Sequence, residues 1–471
     1  MKRFLLVPIA IALVLVGGTG CFGGSPSEPA DAGETAETSE GNANTETSGG
    51  NETADNPEGT VVNTTPEDTL FFYTVDLFLT KRYVQQDDFE KYIGQFIRKK
   101  FPNIKIKHVL WDDGTRYEDL IAKGTIPDII FEDTRRNAYR YVRRYGLEYD
   151  MTDLIKKYNF DTGKLDPSYL QLSLNSSDGK LYSLPFEGYD YVLYYNKDIF
   201  DKFGVDYPKP GMTYDEAYEL AKNMTRQEGD LTYKGYQQHP EYYMMLNQLA
   251  EPALDPDEDK ASMVSDNWMK VVDNLRRFYD IPGNQFTTVR DFPKGQMAMA
   301  VDVESWIYNY SREYPDLNFD VAPVPVFQEA PNSKYQPYVG GLYISKQSNK
   351  KDLAFHVISY LLSEEVQIER AKLGIRSPLL SDAVREAFGQ NVPGLRDKDM
   401  NALFALKNAA PAPRKPGLTF IDPKVRGVFS PLIFEESKDT PTALRVVNEE
   451  MDKAIDETKA IQSEGGISPH L

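Results

Sequence analysis

Four histidines (His108, His239, His356 and His470) and one cysteine, Cys21, are all the imidazoles and thiols of this 471-residue chain. They are scattered, with no His-Glu-x-x-His run, so no metal site is expected. A single cysteine allows no disulfide within the chain. No Gly-x-Ser-x-Gly elbow and no phosphate-binding glycine loop is present, so no cofactor is implied. Glycosidase chemistry needs two carboxylates across a bond, but 72 acidic residues offer pairs everywhere and decide nothing. The sequence supports no catalysis. What it supplies is binding chemistry. Asp76 and Phe78 follow one strand-like run, and Glu132, Asp133, Arg135 and Arg136 follow another. Carboxylates accept pairs of hydroxyls, and arginine donates in a planar fork. An alternative is local: Asp133-Thr134 also reads as the cap of a following helix. The 30 tyrosines combine a flat apolar ring with a polar tip, which suits a sugar face as well as a core. A net charge of −19 argues against nucleic acid as a partner.

These residues need elements to hold them. Residues 69–75 read as a buried strand, 86–100 as an amphipathic helix, 104–110 as an alternating strand and 117–121 as a second helix. The run 128–131 then reads as a third strand. Strand, helix, strand, helix, strand is the signature of a parallel sheet with helices on its faces. The pattern resumes with a strand at 191–195 and a helix from 196 to Gly204. Thr213 with Glu216 reads as a capping box opening the helix 214–224. Residues 265–279 form a further amphipathic helix, and 297–301 a short buried strand. Residues 320–325 are strand-like but broken by prolines, as suits a segment crossing between domains. The C-terminal third is mostly helical, at 351–371, 379–388 and 440–462. The length fits about two domains.

The N-terminus has its own chemistry. Lys2 and Arg3 precede an apolar run at 4–16, which is too short to span a membrane as a helix. Gly20 and then Cys21 follow. The pattern resembles a bacterial lipoprotein signal, with residues 1–20 removed and Cys21 lipidated. Gly18 stands where such signals usually carry Leu. The other reading is an ordinary secretory signal with an incidental cysteine. Residues 22–66 hold no Lys or Arg, and such a composition cannot bury enough apolar surface to order itself. The expectation is a lipid-anchored, disordered linker over 21–66.

Five stretches in order resemble the extracellular solute-binding family that includes maltose-binding proteins. They are Ile126-Pro127-Asp128-Ile129-Ile130-Phe131; 178–186 (DGKLYSLPF) with 193–200 (LYYNKDIF); Met212-Thr213-Tyr214-Asp215-Glu216; 292–299 (FPKGQMAM); and Gly340-Gly341-Leu342-Tyr343-Ile344-Ser345-Lys346. The resemblance covers 69 to about 455. It implies an α/β, two-lobed periplasmic-binding-protein-like fold with interleaved lobes and a multi-strand hinge. By analogy one lobe holds 67–187 and 326–362, and the other 189–322 and 364–471. It implies a small-molecule solute, first of all an oligosaccharide, delivered to an ABC transporter permease by a monomer outside the cytoplasm. A peptide, a polyol or a modified sugar would satisfy the same residues, and a sensory or adhesion lipoprotein is the other class of function.

On that fold, ligands belong at strand ends between the lobes. Asp76, Glu132, Asp133 and Arg135 then face the cleft. Glu187, Tyr189 and Asp190 fall at the first lobe crossing, where Gly188 is either a hinge or a turn. Tyr242 or Tyr243 stands where relatives place an aromatic, and packing of a helix start is the alternative. Trp306 is similar in position to a sugar-stacking tryptophan, against a core role. Trp111 either lines the cleft or is structural, and Trp268 reads as core. Gly340 and Gly341, flanked by Tyr338 and Tyr343, allow close approach of a ligand or of a neighbouring strand. Arg376 lies in a loop that reaches toward the cleft.

Overall fold

A computed structural model describes residues 69–75 and 86–464, apart from 113, 136, 176 and 178. The sequence expectations at 1–20, at Cys21, at 22–66, and at Asp76, Phe78 and Arg136 lie outside the described residues. Among the described residues nine strands build the two larger sheets. β1 (Thr69–Thr74), β2 (Lys105–Leu110), β3 (Ile129–Asp133), β4 (Ser183–Tyr189) and β9 (Tyr338–Ile344) form one, in the order β2-β1-β3-β9-β4. β1 runs parallel to β2 and β3, whereas β9 is antiparallel to β3 and β4. β5 (Tyr191–Asn196), β6 (Gln237–Gln238), β7 (Met299–Val303) and β8 (Phe319–Ala322) form the other, in the order β8-β5-β7-β6. The parallel β1–β3 unit follows from the βαβαβ pattern, because parallel strands need a crossover helix. Helices Gln95–Lys100 and Tyr117–Ala122 belong to those crossovers.

Local signals are where the sequence places them. Thr213 Oγ1 accepts from Glu216 N at 3.2 Å and Glu216 Oε2 accepts from Thr213 N at 2.7 Å, a reciprocal cap opening Tyr214–Met224. Helix Asp266–Tyr279 buries Trp268, Val271, Val272, Leu275 and Phe278 on one face, and the Trp268 indole donates to Pro252 O at 2.9 Å. β8 ends at Ala322, just before Pro323, because proline cannot donate to a ladder. One expectation changes: the helix read as 351–371 is two, Lys351–Leu361 and Glu364–Lys372. Ser363 takes extended backbone angles and its hydroxyl caps Val366 N, so it starts the second helix instead of continuing the first.

The chain passes between the sheets at Asp190, joining β4 to β5, and again between β8 and β9. A third passage follows Leu380. Arg370 donates to Tyr92 O, Phe186 O and Glu187, and Gly188 N donates to Arg376 O at 3.0 Å. Leu380 N donates to Lys164 O. Phe388, Val392 and Leu395 instead share a core with Val192, Tyr194 and Phe319. We therefore propose that 364–380 moves with the first lobe.

Candidate functional site

The three passages meet at one carboxylate. Asp190 Oδ1 accepts from Lys334 Nζ at 2.8 Å, and Oδ2 from Arg376 Nε at 2.7 Å. Its backbone is held as well: Asp190 N donates to Glu304 Oε2 and Glu304 N to Asp190 O, both at 2.8 Å. Lys334 lies on the second passage and Arg376 just before the third. Burial acts most strongly on Asp190 and would raise its carboxyl; Lys334 and Arg376 together outweigh it and hold the group below its usual value. The arrangement fixes the crossing strands to one another. Both oxygens of Asp190 are engaged by these cations, and the side chain is only 2% exposed.

Several of the other candidate residues are also held internally. Glu132 is fully buried. It accepts from Asp133 N at 2.9 Å, Asn137 Nδ2 at 3.0 Å and Tyr117 Oη at 3.3 Å. Burial first, and the neighbouring Asp133 second, push its carboxyl up to about 8. Asp133 accepts from Arg135 N at 2.8 Å and Asn137 N at 3.1 Å, holding the turn before helix Ala138–Arg143, which carries no side-chain cap of its own. Glu187 is fully buried against Arg370, 2.8 Å away. Tyr343 is core, its hydroxyl donating to Asp133 O at 3.0 Å. Gly340 pairs with Asp133 and Glu187 across the sheet. A Cβ on Gly341 would stand 2.6 Å from Thr134 Cγ2, so the close approach there is to a neighbouring strand end. Gly188 is not a left-handed hinge. It lies within β4, where a Cβ would meet the Tyr169 hydroxyl at 2.1 Å.

A second set of residues clusters near the lobe crossings. Arg135, after β3, reaches the other lobe and donates from Nη2 to Met245 O at 2.8 Å. Tyr242 packs its ring 5.8 Å from Tyr191, on the first crossing, and 5.2 Å from His239. Tyr189 meets Tyr338 edge-on at 5.9 Å. Trp306 opens helix Trp306–Glu313. The Arg290 guanidinium lies 3.7 Å from its ring centre and 3.0 Å from Asp302. Burial raises Asp302 to about 6 against the pull of Arg290. Trp306 borders a cavity of about 490 Å³, whose far wall is Asp88, Lys91 and Tyr92 of the first-lobe helix. Tyr243 is instead core, its hydroxyl donating to Val271 O at 3.1 Å. Sequence reasoning missed Arg290, Asp302, Tyr191 and Lys334. Only Asp302 left a signal, as an acid inside the otherwise apolar run of β7.

Two α/β lobes joined by several passages, with cavities at their boundary, are the arrangement on the page. Residues 84–368 match the family described as bacterial extracellular solute-binding protein. The chain belongs to that family. Family members work outside the cytoplasm and bind solutes. Among solved structures the fold is similar to the cyclic alpha-maltosyl-1,6-maltose binding protein from Arthrobacter globiformis, with TM-score 0.66 and 18% identity, covering 83% of this chain and 99% of that one. It is also similar to an ABC substrate-binding protein from Listeria monocytogenes in complex with cycloalternan (TM-score 0.63, 18% identity, 83% and 99% covered). A third similar structure is UgpB from Mycobacterium tuberculosis in complex with glycerophosphocholine (TM-score 0.59, 15% identity, 83% and 99% covered). In sequence, 67 residues are 37% identical to the sn-glycerol-3-phosphate-binding periplasmic protein UgpB of Brucella abortus strain 2308. That match spans 14% of this chain and only 15% of the relative. Among the described residues no helix is long and apolar enough to cross a membrane, and no group of three or more His, Cys, Asp or Glu is placed to hold a metal ion.

Proposed function

We propose that this protein captures a carbohydrate between its lobes and delivers it to an ABC transporter permease, with no covalent step. The observation that carries the reading is the cavity of about 490 Å³ bordered by Trp306 and by Asp88, Lys91 and Tyr92. Rings cover the apolar faces of a sugar while arginines and backbone groups take its hydroxyls. Sugar-binding neighbours of the same fold, such as the cyclic maltosyl-maltose and cycloalternan binders, support it. Closure about the Asp190 hinge buries the solute and presents one loaded shape to the permease. We further propose that the protein is a monomer tethered by a lipid on Cys21, with 22–66 as the spacer. Cys21→Ala should then release it from membranes into the soluble fraction; continued membrane association contradicts the tether.

A thermal-shift screen against mono- and oligosaccharides, polyols, amino acids and short peptides tests the ligand class. A solute that binds only the folded state raises the melting temperature by mass action. A shift confined to glycans is expected. A peptide or amino-acid hit with a flat sugar panel overturns the carbohydrate reading and leaves the family assignment standing.

A further inference from the structure

Burying a guanidinium without a counter-ion is costly, and proteins answer it with a carboxylate. The other shielded arginines here follow that rule: Arg370 pairs with Glu187 at 2.8 Å, Arg376 with Asp190 at 2.7 Å, and Arg414 with Asp259 at 3.6 Å. Arg135 does not. Among the described residues no carboxylate forms an ion pair with it, and Asp422 and then Asp133 act on it only from farther off. Nη2 is spent on the Met245 carbonyl of the opposite lobe. Nη1 is shielded from solvent and has no hydrogen-bond partner. The side chain borders a cavity of about 100 Å³ between the lobes, walled chiefly by Leu172, Met245, Pro252, Pro411 and Phe420. A charge set among apolar walls attracts an opposite charge far more strongly than one in water.

We propose that the solute carries an anionic oxygen group, a carboxylate or a phosphate ester, that pairs with Arg135. This inference rests on the carbohydrate-capture reading and narrows it to an acidic or phosphorylated sugar. Arg135 would join the lobes twice in the loaded state, through Met245 O and through the ligand's charge. It would also set specificity, because a neutral sugar leaves the cation unpaired. The apolar walls favour an anion attached to a ring or short alkyl stem over a free, fully hydrated ion.

Two titrations of the full chain test this. The first adds inorganic phosphate or acetate at constant ionic strength and follows the melting temperature against chloride. The second compares glucose, glucuronate and glucose 6-phosphate by calorimetry. Both use wild type, Arg135→Lys and Arg135→Leu. Circular dichroism checks that Arg135→Leu folds, and Arg135→Lys keeps the charge without the fork should the leucine variant fail. The expected result is stabilisation by phosphate or acetate, and binding of at least one anionic sugar about 10- to 100-fold tighter than glucose. Arg135→Leu abolishes both. A preference for glucuronate names a carboxylate, and one for glucose 6-phosphate a phosphate ester. Equal binding of all three sugars, or an anion preference that survives Arg135→Leu, overturns the inference. An Arg135-dependent response to phosphate or acetate with no sugar binding keeps the anion subsite and loses the carbohydrate reading. Binding of neutral glycans with no response to anions does the reverse.

Discussion

Asn in place of Asp190 keeps the shape of the side chain and removes the charge on which Lys334 and Arg376 converge at 2.8 and 2.7 Å. All three side chains are buried or nearly so: Asp190 is 2% exposed, Lys334 6% and Arg376 14%. Breaking a buried ion pair from one side costs about 3–5 kcal/mol, because the partner is left charged and desolvated. Two partners are stranded here. Lys334, whose ammonium burial already pulls below its usual value, can shed its proton and recover part of the loss. Arg376 cannot. The expected loss is therefore about 3–5 kcal/mol, seen as a lower urea midpoint with an unchanged slope. Pairing Asp190→Asn with Lys334→Met should cost less than the sum of the two single changes, since the double variant leaves one stranded cation instead of two. The pH dependence has a definite sign. Asp190 has a folded value below its unfolded one, so its contribution is present above the unfolded value, near 3.9, and is lost as pH falls through the folded value. A loss under about 1 kcal/mol for Asp190→Asn, the range of an exposed pair, would refute the view that this carboxylate binds the three passages together.

Trp306→Ala should weaken solute binding by about 1–3 kcal/mol, the loss of one aromatic contact; unchanged calorimetric affinity with an intact fold makes Trp306 a packing residue beside Arg290. Glu132→Gln tests the buried carboxyl near β3. Its folded value of about 8 lies above the ordinary 4.5, so its contribution is complete below 4.5 and is lost as pH rises through 8. The Gln variant should therefore gain on wild type in urea midpoint between about pH 5 and about pH 9, and a constant difference would contradict the raised value.

Much of the fold was legible because it is written in local periodicity. The βαβαβ start, the Thr213–Glu216 box and the apolar face around Trp268 each depend on neighbours within a few residues. The candidate site was legible in outline only. A run such as Glu187-Gly188-Tyr189-Asp190 marks a crossing, but its partners Arg370, Lys334 and Arg376 lie 183, 144 and 186 residues away, beyond any local pattern. Glu132 looked ligand-facing because it ends a strand. Its orientation toward Tyr117 depends on which face of the pleat it takes, and a one-residue difference reverses that. Gly188 looked like a hinge because glycine tolerates wide backbone angles, whereas what requires it is the Tyr169 hydroxyl. Arg135 was singled out because it follows a strand end, and Trp306 because its position resembles that of a sugar-stacking tryptophan.

We propose that two lobes joined at Asp190 close on a solute between them. Small-angle X-ray scattering of the protein, alone and with a saturating glycan from the screen, tests it most directly. A smaller radius of gyration is expected with the glycan, and a smaller change in Trp306→Ala when the glycan is held near the wild-type Kd. A bound glycan that leaves the scattering of the wild type unchanged would contradict it.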